Sequence, residues 1–205
     1  IQRVFISLLA GACLLSCNSE TKPKDASTDS ITENNTMKEM AKGSFGYDVN
    51  FLQQKDSSLI VLKSEDGQSQ VIISPKYQAQ VFPCSSEGVN GKSFGWVNYK
   101  AFDGPVDAHM NAYGGEDRLW LGPEGGVFSL YFKPAAKMEF ANWKTPAAID
   151  TETWSLKSAD AATVVLNKNM TLTNYAGTSL EIQADRAISL ITPKDINTDL
   201  GINLP

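Results

Sequence analysis

The hydrophobic and polar positions divide the chain into three stretches. Val4 to Leu15 is an almost entirely apolar run that follows one positive charge at Arg3. Such a run is too short to span a bilayer as a mature helix. Residues 18–42 are dominated by Ser, Thr, Asn, Lys, Asp and Glu, and from Phe45 onward apolar and polar positions mostly alternate. The pattern predicts a leader, a flexible polar tether and a folded domain.

The end of the apolar run has the form of a lipoprotein signal peptide. Leu14-Leu15-Ser16-Cys17 places a leucine three residues before a cysteine and a small residue directly before it. We expect residues 1–16 to be removed and the Cys17 thiol to carry diacylglycerol, with residues 17–42 as the lipidated tether. Two or three acyl chains would anchor the protein durably, because each buried CH₂ contributes about 0.8 kcal/mol. The alternative is an ordinary secretory signal with a chance cysteine, or an uncleaved anchor.

The predicted location is therefore the cell envelope. The lipid would hold the chain to a membrane, and the outer membrane is the favoured candidate. The folded domain would face the periplasm or the cell surface. This prediction depends on Cys17 alone.

Charge and cysteine content narrow the function classes. The formal net charge is −5 and no basic run is present, so the chain lacks the electrostatic footprint that nucleic acid requires. No phosphate-cradling glycine loop and no haem-attachment cysteine pair occurs, so no nucleotide, flavin or haem cofactor is expected. Cys84 has no partner once Cys13 leaves with the signal and Cys17 is acylated. It is predicted to be a core or edge residue.

The alternation predicts an all-β, antiparallel sandwich over residues 43–205. Asp48 is expected to cap one short helix that runs through Gln54. Glu65-Asp66-Gly67 predicts a hairpin turn, because glycine readily adopts a positive φ. About ten strands and almost no helix are expected in all. The strands are predicted at Leu59–Lys63, Gln70–Ser74, Gln78–Phe82, Ser93–Tyr99, Arg118–Leu121, Val127–Phe132, Met138–Trp143, Thr163–Leu166, Met170–Thr173 and Leu180–Leu190.

Polar and aromatic residues are concentrated between Asn111 and Gly126. If residues 116–121 are extended, Glu116, Arg118 and Trp120 share one face. Arginine and glutamate bind sugar hydroxyls, and tryptophan covers the apolar C–H face of a pyranose. This face predicts a sugar site. The expected substrate-binding residues are Asn111, Glu116, Arg118, Trp120 and Trp143.

Glycine-rich turns accompany this cluster. Gly114-Gly115 allows close backbone approach, and residues 122–126 predict a hairpin loop that holds Glu124 at a rim. Glu124, together with Arg118, is the catalytic candidate, as an acid, a base or a hydroxyl acceptor. The alternative interpretation is a Glu–Arg ion pair beside a packed tryptophan, with glycines that serve only the turns.

His109 is the only histidine in the chain and lies two residues after Asp107. Two candidate ligands without a third do not predict a metal site, so a loop histidine at the surface is favoured. Trp96 and Trp154 are expected to pack in the core or on a sheet face, and the same packing role is the alternative for Trp143.

Three segments, residues 94–99, 111–126 and 142–151, together resemble an uncharacterised family of bacterial lipoproteins of the galactose mutarotase-like, or aldose epimerase-like, superfamily. The resemblance runs from about Gly43 to the end of the chain. It implies a supersandwich of two large antiparallel sheets with a sugar pocket on a concave face. Members of that fold use more chain than this, so we expect that the sequence holds mainly the N-terminal half.

The sequence departs from the epimerase pattern at one position. Aldose epimerases place a histidine acid before a Gly-Gly pair, whereas Tyr113 precedes Gly114-Gly115 here. A tyrosine with a pKa near 10 is a poor proton donor. Three hypotheses follow: a carbohydrate-binding module, a sugar-active enzyme, or a structural or partner-binding lipoprotein that kept the sandwich without a sugar site. The sequence does not specify an oligomeric state.

Overall fold

The structure is a computed structural model, and it describes residues 40–203. The predicted signal peptide at residues 1–16, the Cys17 anchor and nearly all of the predicted tether lie outside the described residues. Over residues 40–203, no helix has both the length and the apolar composition needed to cross a membrane.

Two antiparallel three-stranded sheets and four α-helices form the described part of the chain. The helices are α1 (Phe45–Lys55), α2 (Tyr99–Asp103), α3 (Ala147–Asp150) and α4 (Pro193–Leu200), and Phe140–Asn142 forms a 3₁₀ turn. The strands are β1 (Ile60–Lys63), β2 (Gln70–Ser74), β3 (Gln80–Ser85), β4 (Ser155–Ala159), β5 (Thr163–Thr173) and β6 (Ser179–Ser189). The fold is β-rich, as predicted, but the expectation of almost no helix was wrong.

The first sheet has the order β1-β2-β3, and its first hairpin confirms the sequence prediction. Ile60 pairs with Ile73 and Lys63 with Gln70. In the turn between them, Gly67 has a φ of 70° and Asp66 accepts hydrogen bonds from the Ser64 hydroxyl and the Gln68 amide. The side chain of Asp66 thus fixes the turn that sets the register.

The second sheet has the order β4-β5-β6 and is dominated by one long hairpin. β5 and β6 pair without interruption from Thr163↔Ser189 to Thr173↔Ser179. On β5, the side chains that alternate into the core are Val164, Leu166, Met170 and Leu172. The sequence predicted two separate strands here, but the polar residues between them continue the ladder.

Within the described residues, buried apolar side chains form three clusters, and each cluster joins two parts of the fold. In the first, side chains of both sheets pack together: Leu62, Val71, Ile73, Ala79, Trp154, Val164 and Leu166. In the second, α1 covers the opposite face of the first sheet through Phe45 and Leu52, which pack with Ile72 and Phe82. In the third, α3 and the segment 119–130 pack on Met170 and Leu172 of the second sheet. The third cluster supports the candidate site.

Helix α1 begins four residues earlier than predicted. Ser44 is its N-cap, and its side chain accepts a hydrogen bond from the Tyr47 amide at 3.3 Å. Asp48 is buried and accepts hydrogen bonds from the hydroxyls of Ser93 and Tyr99. Asp48 therefore ties the helix to the segment that follows β3.

The predicted strands at residues 93–99, 118–121, 127–132 and 138–143 were wrong. These segments are irregular and form isolated bridges, such as Cys84↔Phe94 to the first sheet and Val97↔Gly114 between two irregular segments. β3 also starts later than predicted, because Gln78 and Ala79 have positive φ angles of 66° and 50°. Alternation marks half-buried positions, but a strand also needs a neighbouring strand to pair with.

The core shared by the two sheets gives a stability prediction. Leu166→Ala should lower the free energy of unfolding by about 2–5 kcal/mol, because it removes a fully buried side chain and leaves a cavity. Urea denaturation measures the change. The control is Leu200→Ala, at a leucine that is 66% exposed, and it should change stability by no more than about 0.5 kcal/mol. Equal effects of the two substitutions would contradict this core.

Candidate functional site

A buried carboxylate at the end of α3 brings two of the predicted site residues together. Asp150 accepts hydrogen bonds from the amide of Asn111, at 3.1 Å, and from its side-chain Nδ2, at 2.7 Å. Gln78 donates to the same carboxylate at 2.7 Å, and Arg118 pairs with it at 3.3 Å. This one buried carboxylate thus accepts hydrogen bonds from three separate segments of the chain.

Arg118 is committed to this network and does not line a cavity. Its side chain is 17% exposed, and its guanidinium carbon lies 4.8 Å from the centre of the Trp120 ring. Burial lowers the pKa of Arg118, and the charge of Asp150 opposes that shift. The guanidinium holds Trp120 in place from behind, so Arg118 is a positioning residue in this structure.

Five rings, of which Trp120 is the innermost, contact one another in succession, and we call them the aromatic row. Trp120 contacts Tyr131 with ring centres 5.2 Å apart, and Tyr131 stacks on Trp143 at 5.3 Å with planes 6° apart. Trp143 lies 6.3 Å from Phe140, which stacks on His109 at 4.5 Å. The Nδ1–H of His109 donates to the carbonyl oxygen of Trp143 at 2.6 Å. The outer half of the row is therefore rigidly oriented.

An open groove of about 480 Å³ runs along the outer end of the row, and we call it the aromatic groove. Its lining consists of Met110, Glu124, Phe132, Met138, Glu139, Phe140 and Trp143. Phe140 is 72% exposed. The groove combines aromatic side chains with two carboxylates.

Glu124 reaches the groove on an anchored loop, not on the predicted hairpin. No strand flanks residues 122–126. Instead, Ser129 donates to the carbonyl oxygen of Glu124 at 2.9 Å, and the indole of Trp120 donates to its carboxylate at 2.8 Å. The Tyr131 hydroxyl donates to the carbonyl of Leu121 at 2.7 Å. Burial, with the nearby charge of Glu124, raises the pKa of Tyr131 to about 12.

The structure does not bring Glu116 into the groove. Residues 116–121 do not form the regular strand that would give Glu116 and Arg118 a common face. The Glu116 carboxylate instead accepts from the amide of Cys84 at 3.1 Å. Burial raises the pKa of the Cys84 thiol to about 11, so this thiol stays protonated at neutral pH.

Gly114 and Gly115 pack closely against other residues of this chain. A Cβ atom on Gly115 would lie 2.0 Å from the Gln80 side chain, and one on Gly114 would lie 2.4 Å from the Trp96 carbonyl oxygen. These glycines therefore allow the segment before Glu116 to cross the first sheet closely.

Of the predicted site residues, Trp143 and Glu124 line the groove, whereas Asn111, Arg118 and Trp120 lie behind it. Sequence reasoning missed Asp150, Tyr131, Phe140 and Glu139. The spacing of Phe140 and Trp143 was a usable signal, since one turn of 3₁₀ helix places them side by side. Asp150 carried no such signal, because its partners are distant in sequence.

The remaining candidate residues have structural positions. Asp107 accepts from the amides of His109, at 2.7 Å, and Met110, at 3.1 Å, so it shapes a turn and does not share a strand face with His109. Among residues 40–203, no three His, Cys, Asp or Glu side chains are grouped so that they could hold a metal ion. Trp154 is buried in the core as predicted, but Trp96 is 59% exposed.

The fold and site define a β-rich domain with an aromatic groove supported by a buried ion pair. A family model matches residues 43–205, and the chain therefore belongs to the family of unknown function DUF6786. The matched range includes both sheets, the Asp150 network and the groove. Comparison with curated proteins and with solved structures gave no match.

The Asp150 network gives a second stability prediction. Asp150→Ala should cost about 3–5 kcal/mol of folding free energy, because it leaves the charge of Arg118 buried without its partner. Asp185→Ala removes the partner of Lys157 from an exposed pair and should cost less than about 1 kcal/mol. Denaturant unfolding of both variants tests the difference. A loss below 1 kcal/mol for Asp150→Ala would contradict the anchoring role of Asp150.

Proposed function

We propose that this protein is an envelope lipoprotein whose folded domain binds carbohydrate in the aromatic groove. One observation carries the proposal: the rings of Phe140, which is 72% exposed, and Trp143 line an open groove together with Glu124 and Glu139. A pyranose has an apolar C–H face and a rim of hydroxyl groups. The groove offers a complementary surface for each.

The shape of the groove favours a small polar ligand with one flat apolar side. The Phe140 and Trp143 rings are nearly parallel, with planes 13° apart and centres 6.3 Å apart, so they form one aromatic pair at the groove. The volume of about 480 Å³ lies within the usual range of small-molecule sites. Met110 and Met138 add flexible apolar contacts at the edges.

Binding without turnover is the form of the proposal that the site supports best. Arg118, one of the two catalytic candidates, is held by Asp150 and Trp120 behind the groove. Tyr113, at the position of the epimerase histidine, is buried, and burial raises its pKa, with the Tyr77 and Asp150 charges adding to the effect. A raised pKa makes Tyr113 a weaker acid, which argues against mutarotation.

The wider architecture and the anchor are parts of the same proposal. Two antiparallel sheets that share a hydrophobic cluster support a β-sandwich related to the galactose mutarotase-like superfamily. The lipid anchor and the envelope location rest on the sequence around Cys17, which lies outside the described residues.

Saccharide titration tests the groove. The chain from residue 18 onward is screened by thermal shift against mono- and oligosaccharides, and a ligand at 100 times its Kd should add about 2.7 kcal/mol of stability. Trp143→Ala should weaken binding at least about tenfold, because it removes the central stacking face. Trp96→Ala is the matched control, at an exposed tryptophan that does not line the groove, and it should bind normally.

Two results would overturn the binding proposal. The first is a stable, folded protein with no response to any saccharide, which would favour the structural or partner-binding alternative. The second is saccharide binding that Trp143→Ala leaves intact. Anomer interconversion followed by NMR separates binding from catalysis, since turnover lost in Glu124→Gln would identify an enzyme.

Acylation tests the anchor. Expressed with its leader in a bacterial host, the protein should appear in the membrane fraction, with a mass increase from diacylglycerol on Cys17. Cys17→Ser should abolish both the mass increase and membrane retention. Cys13→Ser, four residues earlier in the same leader, should change neither. Retention of the Cys17→Ser protein in the membrane would indicate an uncleaved anchor.

A further inference from the structure

A second cavity lies beside the aromatic groove, and we propose that it binds the carboxylate-bearing unit of an acidic carbohydrate. The cavity has a volume of about 380 Å³, and Phe132 lines both it and the groove. The inference rests on the proposed function, because the groove would hold the neighbouring sugar unit of the same ligand.

The charge of the cavity is opposite to that of the chain as a whole. Lys133 and Lys144 contribute to its lining, and none of its lining residues is acidic. The whole sequence carries 23 acidic residues against 18 lysines and arginines. A cavity that gathers two cations and no carboxylate attracts an anion even though the net charge of the protein is negative.

Both lysines are free to bind a ligand. Within residues 40–203, the five ion pairs use other cations, and neither Lys133 nor Lys144 donates a side-chain hydrogen bond. Their ammonium groups have no partner within residues 40–203, so a carboxylate can pair with them without breaking a contact of the described chain.

The remaining lining favours a sugar acid over a bare inorganic anion. Leu130, Phe132, Pro146 and Leu172 form apolar walls, while Asn142 and Thr173 add an amide and a hydroxyl. A phosphate ion would leave the apolar walls without a contact. A uronic acid unit matches all three features, since it has an apolar ring face, hydroxyl groups and one carboxylate.

The segment 142–144 separates the two sites and faces both. Trp143 lines the aromatic groove, whereas its neighbours Asn142 and Lys144 line the cavity. Residues 132 and 133 also connect the two sites, because Phe132 lines both of them and Lys133 lines the cavity. A carbohydrate that crosses this shared wall would place one unit on Trp143 and the next between the lysines.

The test compares an acidic probe with its neutral counterpart. Calorimetry with the chain from residue 18 onward uses a galacturonate oligomer and the same oligomer with its carboxyl groups reduced. The acidic form should bind about fivefold tighter or more in low salt, and the preference should shrink as salt rises. Lys133→Gln with Lys144→Gln should remove the preference, so that the acidic and the neutral oligomer bind with about the same affinity.

Two further variants act as controls. Lys63→Gln removes an exposed lysine at the end of β1 that does not line the cavity, and it should keep the preference. Trp143→Ala should weaken both oligomers equally. Lys133 and Lys144 are exposed, so the double variant should unfold at the same temperature as the parent, and this is measured alongside.

The outcomes separate the inference from the proposed function. Trp143-dependent binding of both oligomers without an acidic preference, or a preference that survives the double lysine variant, would overturn the inference alone. Lysine-dependent binding of the acidic oligomer that ignores Trp143→Ala would support the anion site and overturn the aromatic groove. No binding of either oligomer would overturn the inference for this sugar acid, while binding of other saccharides would still sustain the groove.

Discussion

The buried carboxylate of Asp150 is the constraint on which the functional side of this domain depends. It collects donors from Gln78, Asn111 and Arg118, and through Arg118 it fixes Trp120. A buried ion pair contributes little net stability compared with apolar packing, but it is costly to break. Its value here is geometric, because it joins irregular segments that have no ladder hydrogen bonds to orient them.

Beyond Trp120, contacts between aromatic rings, and not ion pairs, hold the side chains in place. Trp120 contacts Tyr131, Tyr131 stacks on Trp143, and His109 fixes the carbonyl of Trp143 at the far end. The sheets take no direct part in the groove lining, but the third hydrophobic cluster seats the segment 119–130 on β5. A rigid sheet therefore supports a groove made almost entirely of loop residues, a common arrangement for binding sites.

The sequence predicted local features well and long-range ones poorly. The β1-β2 turn followed from Asp66 and Gly67, and β6 and the two ends of β5 followed from alternation, because each of these signals is contained in one short stretch. Residues 93–143 alternate in part as well, yet they pack on the sheets as irregular segments and do not form strands. Trp143 and Glu124 were identifiable from residue type, but Asp150 gains its role from partners up to 72 positions away, which no local pattern encodes.

The stacked pair of Tyr131 and Trp143 has a spectroscopic consequence. Tyrosine and tryptophan rings 5.3 Å apart exchange excitation energy, and Trp120 lies 6.5 Å from Trp143 on the same side. Any molecule that lies on Trp143 changes the polarity around that indole, while Trp154 stays shielded in the core. The ultraviolet emission of the unlabelled protein therefore reports occupancy of the groove, so a dye or a coupled reaction is unnecessary for following a ligand.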